Sequence, residues 1–247
     1  MLLKNKKVVI TGCNRGIGLE ILKKFYNNGA EIFACVRSKN KEFLQIVKDL
    51  EKKQSNKIHI KEFNLEDEDL VKKPALNIID EAKTIDVLIN NAGEVFTSLF
   101  QMTSIKKFRT IFDVNFFNQI SFTQIILKAI LKNEKGNILF ISSTSATDGT
   151  IGRSAYSSSK GAINSMVKVL ARELGKNQIR VNAIAPGLID TDMAKINTKE
   201  NFKQDFINSS SLQRIGKPEE IANSAFQICL DDNSFMTGQI IRIDGGV

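Results

Sequence analysis

The chain has 247 residues, 42% of them hydrophobic, and a formal net charge of +8 from 35 basic and 27 acidic residues. That length and composition suit one α/β domain with a substantial core, and no apolar run approaches the ~20 residues that a membrane-crossing helix needs. Three scattered cysteines and one histidine leave no disulfide framework, no zinc spacing and little scope for histidine chemistry, and the lysines are spread too evenly for a nucleic-acid arm.

The first residues, MLLKNKKVVI, lack the apolar stretch and small-residue cleavage site of a signal peptide, so a reducing, cytoplasmic setting is expected. KKVVIT reads as a buried strand. Residues 16–28 read as a helix closed by Gly29, and AEIFACV as the next strand. KEFLQIVKDLEKK is helical, and KIHIKEF, which carries His59, is a strand with the histidine as an ordinary face residue. Residues 67–82 are helical, interrupted or started at Pro74. IDVLIN is a strand and 103–132 a long helical region. GNILFIS is a strand, 154–174 a helix and IRVNAIA a strand; KPEEIANSAFQICL is a helix and QIIRID the last strand. Short β-branched runs separated by helical patterns predict a single domain over 1–247. Its fold is α/β: a doubly wound, Rossmann-type parallel sheet with helices on both faces. In such folds the ligand lies beyond the carboxyl ends of the strands.

Four motifs fall at those ends. TGCNRGIG follows the first strand and opens the first helix. Its glycines permit a tight turn and let a pyrophosphate approach a helix N-terminus, although the Gly12, Gly16, Gly18 spacing departs from G-x-G-x-x-G and a purely structural turn is the alternative. NNAG, Asn90 to Gly93, ends IDVLI and offers either ligand contacts or a plain polar turn. Asn115 stands among apolar residues in TIFDVNFFNQISF. There an amide must find partners or cost ~1–3 kcal/mol, so it either ties backbone to backbone or serves the site by holding a water or disturbing the helical ladder. In SAYSSSK, Tyr156 and Lys160 share one helix face, and Ser142 or Ser143 ends the preceding strand. An ammonium near a phenol favours the phenolate, which makes the pair a proton donor and acceptor. The alternative is a surface tyrosine beside a chance lysine.

Together the four motifs resemble the short-chain dehydrogenase/reductase family over essentially the whole chain, through APGLIDTD (185–192) to DGG (244–246). The resemblance implies that Tyr156, Lys160, Asn115 and Ser143, thirteen residues before the tyrosine, are the catalytic set. It implies that Lys160 also binds the nicotinamide ribose, that Tyr156 also contacts the cofactor and that Asn115 holds a water in a proton relay. For the cofactor it implies Gly12, Asn14, Arg15, Gly16, Ile17 and Gly18, then Arg37, Asn64 and Leu65. Asn91, Ala92 and Gly93 follow, and Pro186, Gly187, Ile189 and Thr191 complete the cofactor set, with Thr191 on the carboxamide. For the substrate it implies Ser143, Ser145, Tyr156, Glu94, Phe96 and Arg153, with Val95 beside them. No metal is expected.

The second strand ends in CVRS, with Val36 where NAD-preferring relatives carry aspartate. Arg37 and Arg15 supply two cations for a 2′-phosphate, so the cofactor is expected to be NADP(H). RSAYSSSKGAI, APGLIDTDM and RIGKPEEIA look most like the 3-oxoacyl-acyl-carrier-protein reductases. That likeness implies reduction of a 3-oxoacyl thioester on an acidic carrier. Glu134 and Asn177 stand where basic carrier contacts belong, with Lys135 and Lys176 beside them. Reduction of a sugar, steroid or other small ketone is the alternative, and a dinucleotide-binding protein without chemistry the distant one. Residues 192–212 are expected to form a lid. In 103–132, Phe108, Ile111, Phe112, Phe116, Phe117, Phe122, Ile125 and Ile126 cannot all face one sheet, so a second subunit is expected there, and the resemblance implies a homotetramer.

Overall fold

The computed structural model describes residues 1–247. Seven strands form one sheet: β1 (Lys7–Thr11), β2 (Glu31–Val36), β3 (Ile58–Glu62), β4 (Val87–Asn90), β5 (Gly136–Ile141), β6 (Ile179–Pro186) and β7 (Ile240–Ile243). Every pairing is parallel, in the order β3-β2-β1-β4-β5-β6-β7. The order reverses between β1 and β4, which opens a crevice at their carboxyl ends.

Both faces are covered, which is why the strand sequences are nearly continuous apolar runs. Helices α1 (Gly16–Asn27) and α2 (Lys41–Glu51) pack on one side with α10 (Pro218–Cys229), where Ile21, Phe25, Phe43 and Phe226 meet Val8 and Ile10. The opposite face takes α3 (Glu68–Ala82), α5 (Asn118–Ile130) and α7 (Ser154–Leu174), which press Ile78, Phe122 and Ile163 against Val9 and Phe33. The strand alternation is direct: Val8 and Ile10 go to one core, Val9 to the other. α3 runs through Pro74 without a break. His59 lies on β3, stacked on Phe33 at 4.6 Å and flanked by Glu31 and Glu81 at 2.7 and 2.6 Å. No helix is long and apolar enough to cross a membrane.

Two features differ from the sequence-based expectation. Residues 103–132 are not one helix. α4 (Ile105–Phe112) passes into a π-helical turn, Asp113–Phe117, before α5 begins. The polar stretch after Thr191 contains two short helices, α8 (Asp192–Asn197) and α9 (Glu200–Ser209), neither with a buried residue. The remaining short helix, α6 (Ser145–Asp148), follows β5.

The turn between β1 and α1 depends on glycine. Gly12 has φ +66°, and a Cβ there would sit 2.8 Å from Ala92 Cα. A Cβ on Gly18 would drive into the Gly12 carbonyl and the Asn91 amide. Gly18→Ala is therefore expected to destabilise the fold by ~1–3 kcal/mol, the usual cost of overpacking. Thermal unfolding would show it as a clearly lower Tm, whereas an unchanged Tm would mean that α1 can shift away.

Candidate active site

A cleft of about 680 Å³ lies along the carboxyl ends of β1, β4, β5 and β6. At one end is the glycine turn. Thr11 Oγ1 accepts from the N–H groups of Asn91 and Ala92, both at 3.0 Å, and Asn91 Nδ2 donates to the carbonyls of Thr11 and Gly12 at 3.0 and 2.9 Å. These four bonds lock β1 to β4 under the turn. Thr11 was not singled out in the sequence; its place as the last residue of a strand opposite an Asn-Asn pair was the available signal.

Residue Arg15 is the N-cap of α1 and makes no side-chain capping bond, and the first turn carries no acid. The free N–H groups and the helix dipole therefore face the cleft as an anion site. Arg15 and Arg37 both line this end; Arg37 Nη1 stands 3.6 Å from Glu66 Oε1, both largely exposed, so that pair is weak. Val36 lines the cleft while packing into the core, so the end of β2 presents no carboxylate. Asn14, Gly16, Ile17, Asn64 and Leu65 share this end with Gly12 and Gly18. Gly93, Pro186, Gly187 and Ile189 line the cleft further along. Thr191 closes over the glycine turn, its Cγ2 3.3 Å from where a Gly16 side chain would begin, and it caps α8 through Ala194 N at 3.2 Å.

At the other end are Ser143, Tyr156 and Lys160. Both Ser142 and Ser143 line the cleft, but Ser142 Oγ donates to Asn164 Oδ1 at 2.6 Å, which leaves the Ser143 hydroxyl as the one free to donate to a ligand. Tyr156 and Lys160 project from one face of α7 and are both buried. Lys160 Nζ donates to the Ile141 carbonyl at 2.7 Å and lies 3.4 Å from where a Gly93 side chain would begin, as Asn115 Oδ1 does at 3.2 Å. Glycine at 93 thus lets both groups approach the backbone. Asn115 is fully buried behind the cleft wall. Its Oδ1 accepts from Glu94 N at 2.8 Å, and its Nδ2 donates to the Glu94 carbonyl at 2.9 Å and Ser159 Oγ at 3.1 Å. The amide thus holds both backbone groups of Glu94 at the place where the helical ladder opens into the π turn.

The electrostatics correct one expectation. Burial raises the Tyr156 hydroxyl above its ordinary value, and the groups that pull it down are Ser143 and Arg153, not Lys160. Lys160 is itself lowered to about 8 by burial. Its sign can be tested. Below pH 8 the folded and unfolded chains both hold this proton; between about 8 and ~10.4 only the unfolded chain does, so the wild type gains ~1.4 kcal/mol per pH unit in that window. The stability of the wild type minus that of Lys160→Met is expected to rise between pH 8 and 9.5 in urea unfolding. A pH-independent difference would show an ordinary lysine.

Two residues expected at the substrate end stand off the cleft. Ser145 Oγ is turned inward to Thr150 Oγ1 at 2.8 Å by the α6 turn, and the Phe96 ring lies under Lys107 Nζ at 5.0 Å. Glu94, Val95 and Arg153 do line it. Sequence reasoning also missed the Glu94–Lys107 ion pair at 2.7 Å.

The residues present suit a dinucleotide. The uncapped α1 N-terminus would suit a phosphate, and the buried Lys160 ammonium, with one protein acceptor for its three donors, would suit ribose hydroxyls.

Known proteins match over the full chain. A sequence model of the family described as enoyl-(acyl carrier protein) reductase matches residues 12–247. The chain is 34% identical to a 3-oxoacyl-acyl-carrier-protein reductase of Chlamydia muridarum, covering 100% of this chain and 98% of that protein. It is 35% identical to a 3α-hydroxysteroid dehydrogenase of Mediterraneibacter gnavus, covering 99% and 98%. Among solved structures, a 7α-hydroxysteroid dehydrogenase complexed with NADH and 7-oxo glycochenodeoxycholic acid superposes with TM-score 0.91 at 31% identity, covering 99% of this chain and 94% of that one. A short-chain dehydrogenase of Burkholderia cenocepacia in complex with NADP gives TM-score 0.92 at 25% identity, covering 100% and 99%.

Proposed function

The chain belongs to the short-chain dehydrogenase/reductase family, and from that premise we propose that it is an NADPH-dependent reductase of a 3-oxoacyl thioester, carried on acyl carrier protein or a smaller thiol. The family makes it an oxidoreductase acting between C=O and CH–OH groups with a nicotinamide dinucleotide. When bound, that cofactor supplies the hydride. The observation that carries the reading is Tyr156, buried on the cleft wall beside Ser143, with the Lys160 ammonium one helical turn behind.

The residues divide the work. Ser143 Oγ donates a hydrogen bond to the substrate carbonyl oxygen. Tyr156 gives that oxygen its proton, and the raised value of the hydroxyl keeps the proton on the donor until the alkoxide forms. Lys160, Gly12 to Gly18, Asn91 to Gly93 and Thr191 orient the dinucleotide, while Arg15 and Arg37 meet the 2′-phosphate. Asn115 fixes the backbone at Glu94, and so the floor on which the substrate rests.

The hydroxysteroid relatives support a second reading, reduction of an isolated ring ketone. The carrier surface also leaves that reading open, because Lys135 is engaged by Asp231 at 2.7 Å while Lys176 is exposed. A turnover panel with NADPH decides: 3-oxoacyl thioesters, hydroxysteroids in their keto form, sugars and small diketones. Turnover confined to steroids or sugars would refute the thioester reading.

Assembly as a homotetramer is part of the proposal. Phe117 is 54% exposed, Ile105 66%, and Phe112, Phe116 and Phe117 form one aromatic cluster, so α4, the π turn and α5 offer an apolar face. Light scattering at micromolar concentration is expected to give about four times the chain mass of 27.6 kDa; a monomer would overturn it. The three cysteines are free and buried, which supports a reducing, cytoplasmic setting.

A further inference from the structure

Arg153 is the N-cap of α7, three residues before Tyr156, so the two side chains leave neighbouring positions at the start of one helix. Its guanidinium is half-buried and lines the cleft. A guanidinium carries five N–H donors and keeps its charge. Here one side-chain acceptor meets it, Thr198 Oγ1 at 3.2 Å, and the Phe202 ring lies 5.6 Å from Cζ. No carboxylate pairs with it. Of the acids that line the cleft, Glu94 is paired with Lys107 at 2.7 Å and Glu66 stands near Arg37, while Asp192 is exposed on α8 and makes no ion pair with Arg153.

The other half-buried arginine, Arg180, is fully provided for, and even the exposed Arg242 has a carboxylate partner. Arg180 donates to the carbonyls of Met236, Ile228 and Leu230, and Arg242 forks onto Asp148. Burial pushes Arg153 below its usual value, with Tyr156 opposing. A helix N-cap has no structural need of such a side chain, and a serine or aspartate would cap it better. A cation withdrawn from water without a counter-ion costs stability unless an acceptor arrives. The dinucleotide phosphates have their own site at the opposite end of the cleft, so the missing acceptor comes with the substrate.

We infer that Arg153 receives a second oxygen function of the substrate, close to the carbonyl that is reduced: the substrate is a 3-oxo compound, held by its acyl carbonyl or by a free carboxylate. The inference rests on the proposed function, which puts the reacting carbonyl on Tyr156 and Ser143. Residues at this spacing have Cβ atoms ~5–6 Å apart, and the guanidinium charge acts on the Tyr156 hydroxyl, so one substrate can reach both with two oxygens a few bonds apart. A 3-oxoacyl group meets that condition, and an isolated ring ketone does not.

The test measures kcat and KM separately for the wild type, Arg153→Met and Thr198→Val, with NADPH and three probes. These are acetoacetate, its N-acetylcysteamine thioester, and cyclohexanone, which has no second oxygen. Arg153→Met is expected to lower kcat/KM for the 3-oxo probes about 10- to 100-fold, mainly through KM, as loss of a charged hydrogen bond implies. Cyclohexanone should change little, and Thr198→Val should keep the preference. A larger loss on acetoacetate assigns the carboxylate, and a larger loss on the thioester assigns the acyl carbonyl. Equal losses on all three probes, or the same losses in Thr198→Val, would overturn the inference alone, leaving Arg153 as a lid contact or a modulator of Tyr156. A wild type that reduces cyclohexanone but neither 3-oxo probe would instead overturn the proposed function.

Discussion

Tyr156→Phe is expected to lower hydride transfer by at least the ~10²–10⁴ that a positioned acid contributes, while leaving fold and cofactor affinity almost unchanged. The substitution removes one oxygen from a side chain whose ring fills the cleft wall, so packing survives. No protein hydrogen bond that stabilises the fold is lost: the hydroxyl faces Ser143 and the cleft. Single-turnover kinetics with NADPH and the best substrate of the panel isolate the chemical step. A Phe variant with near-normal turnover would refute the assigned proton donor. The pH profile adds a check. Burial raises Tyr156, so wild-type reduction should persist to higher pH than an ordinary phenol would allow.

A comparable loss is expected at the other end of the cleft. The 2′-phosphate of NADPH carries nearly two negative charges, and Arg15 and Arg37 are the cations that line this end. Hydrogen bonds to charged groups contribute ~1.5–3 kcal/mol each, so Arg15→Ala with Arg37→Ala should weaken NADPH more than a hundredfold, if the two effects roughly add. NADH lacks the phosphate and should be nearly indifferent. The Glu66 partner of Arg37 is too exposed to change this estimate. The measurement is the ratio of kcat/KM for NADPH over NADH, before and after the double change. A wild-type ratio near or below one would refute the NADPH assignment, and a large ratio that survives would place the phosphate on other groups.

Most of the fold was legible because both faces of the sheet are covered. Each strand is then a short β-branched run, and each crossover helix shows its own period, so the alternation of the two could be read from Lys7 to Ile243. The glycine turn and the Tyr156–Lys160 pair were legible because local spacing alone decides them. What escaped depends on contacts distant in sequence. Thr11 looks like any strand residue until Asn91, 80 positions later, is brought against it. α8 and α9 bury no residue of their own, so they carry little apolar period to detect. Ser145 and Phe96 sit beside true cleft residues in the chain, and only the α6 turn and Lys107 reveal that they face elsewhere. The charge acting on Tyr156 was assigned to Lys160 from spacing. Arg153, at the start of the same helix, was the less obvious cation acting on the hydroxyl, while Lys160 points down to the Ile141 carbonyl.

The π turn makes the shape of one helix depend on parts of the chain far from it in sequence. Residues 103–132 have an apolar pattern that a regular helix would satisfy, and nothing local asks for a break. The break is stabilised by the Asn115 amide, whose partners lie 21 positions away at Glu94 and 44 away at Ser159. Neither partner is in place until β4 and α7 have docked. The widened turn therefore rests on contacts between segments distant in sequence, which residues 103–132 do not supply alone. A single buried amide in this way couples the backbone at Glu94 to the docking of α7.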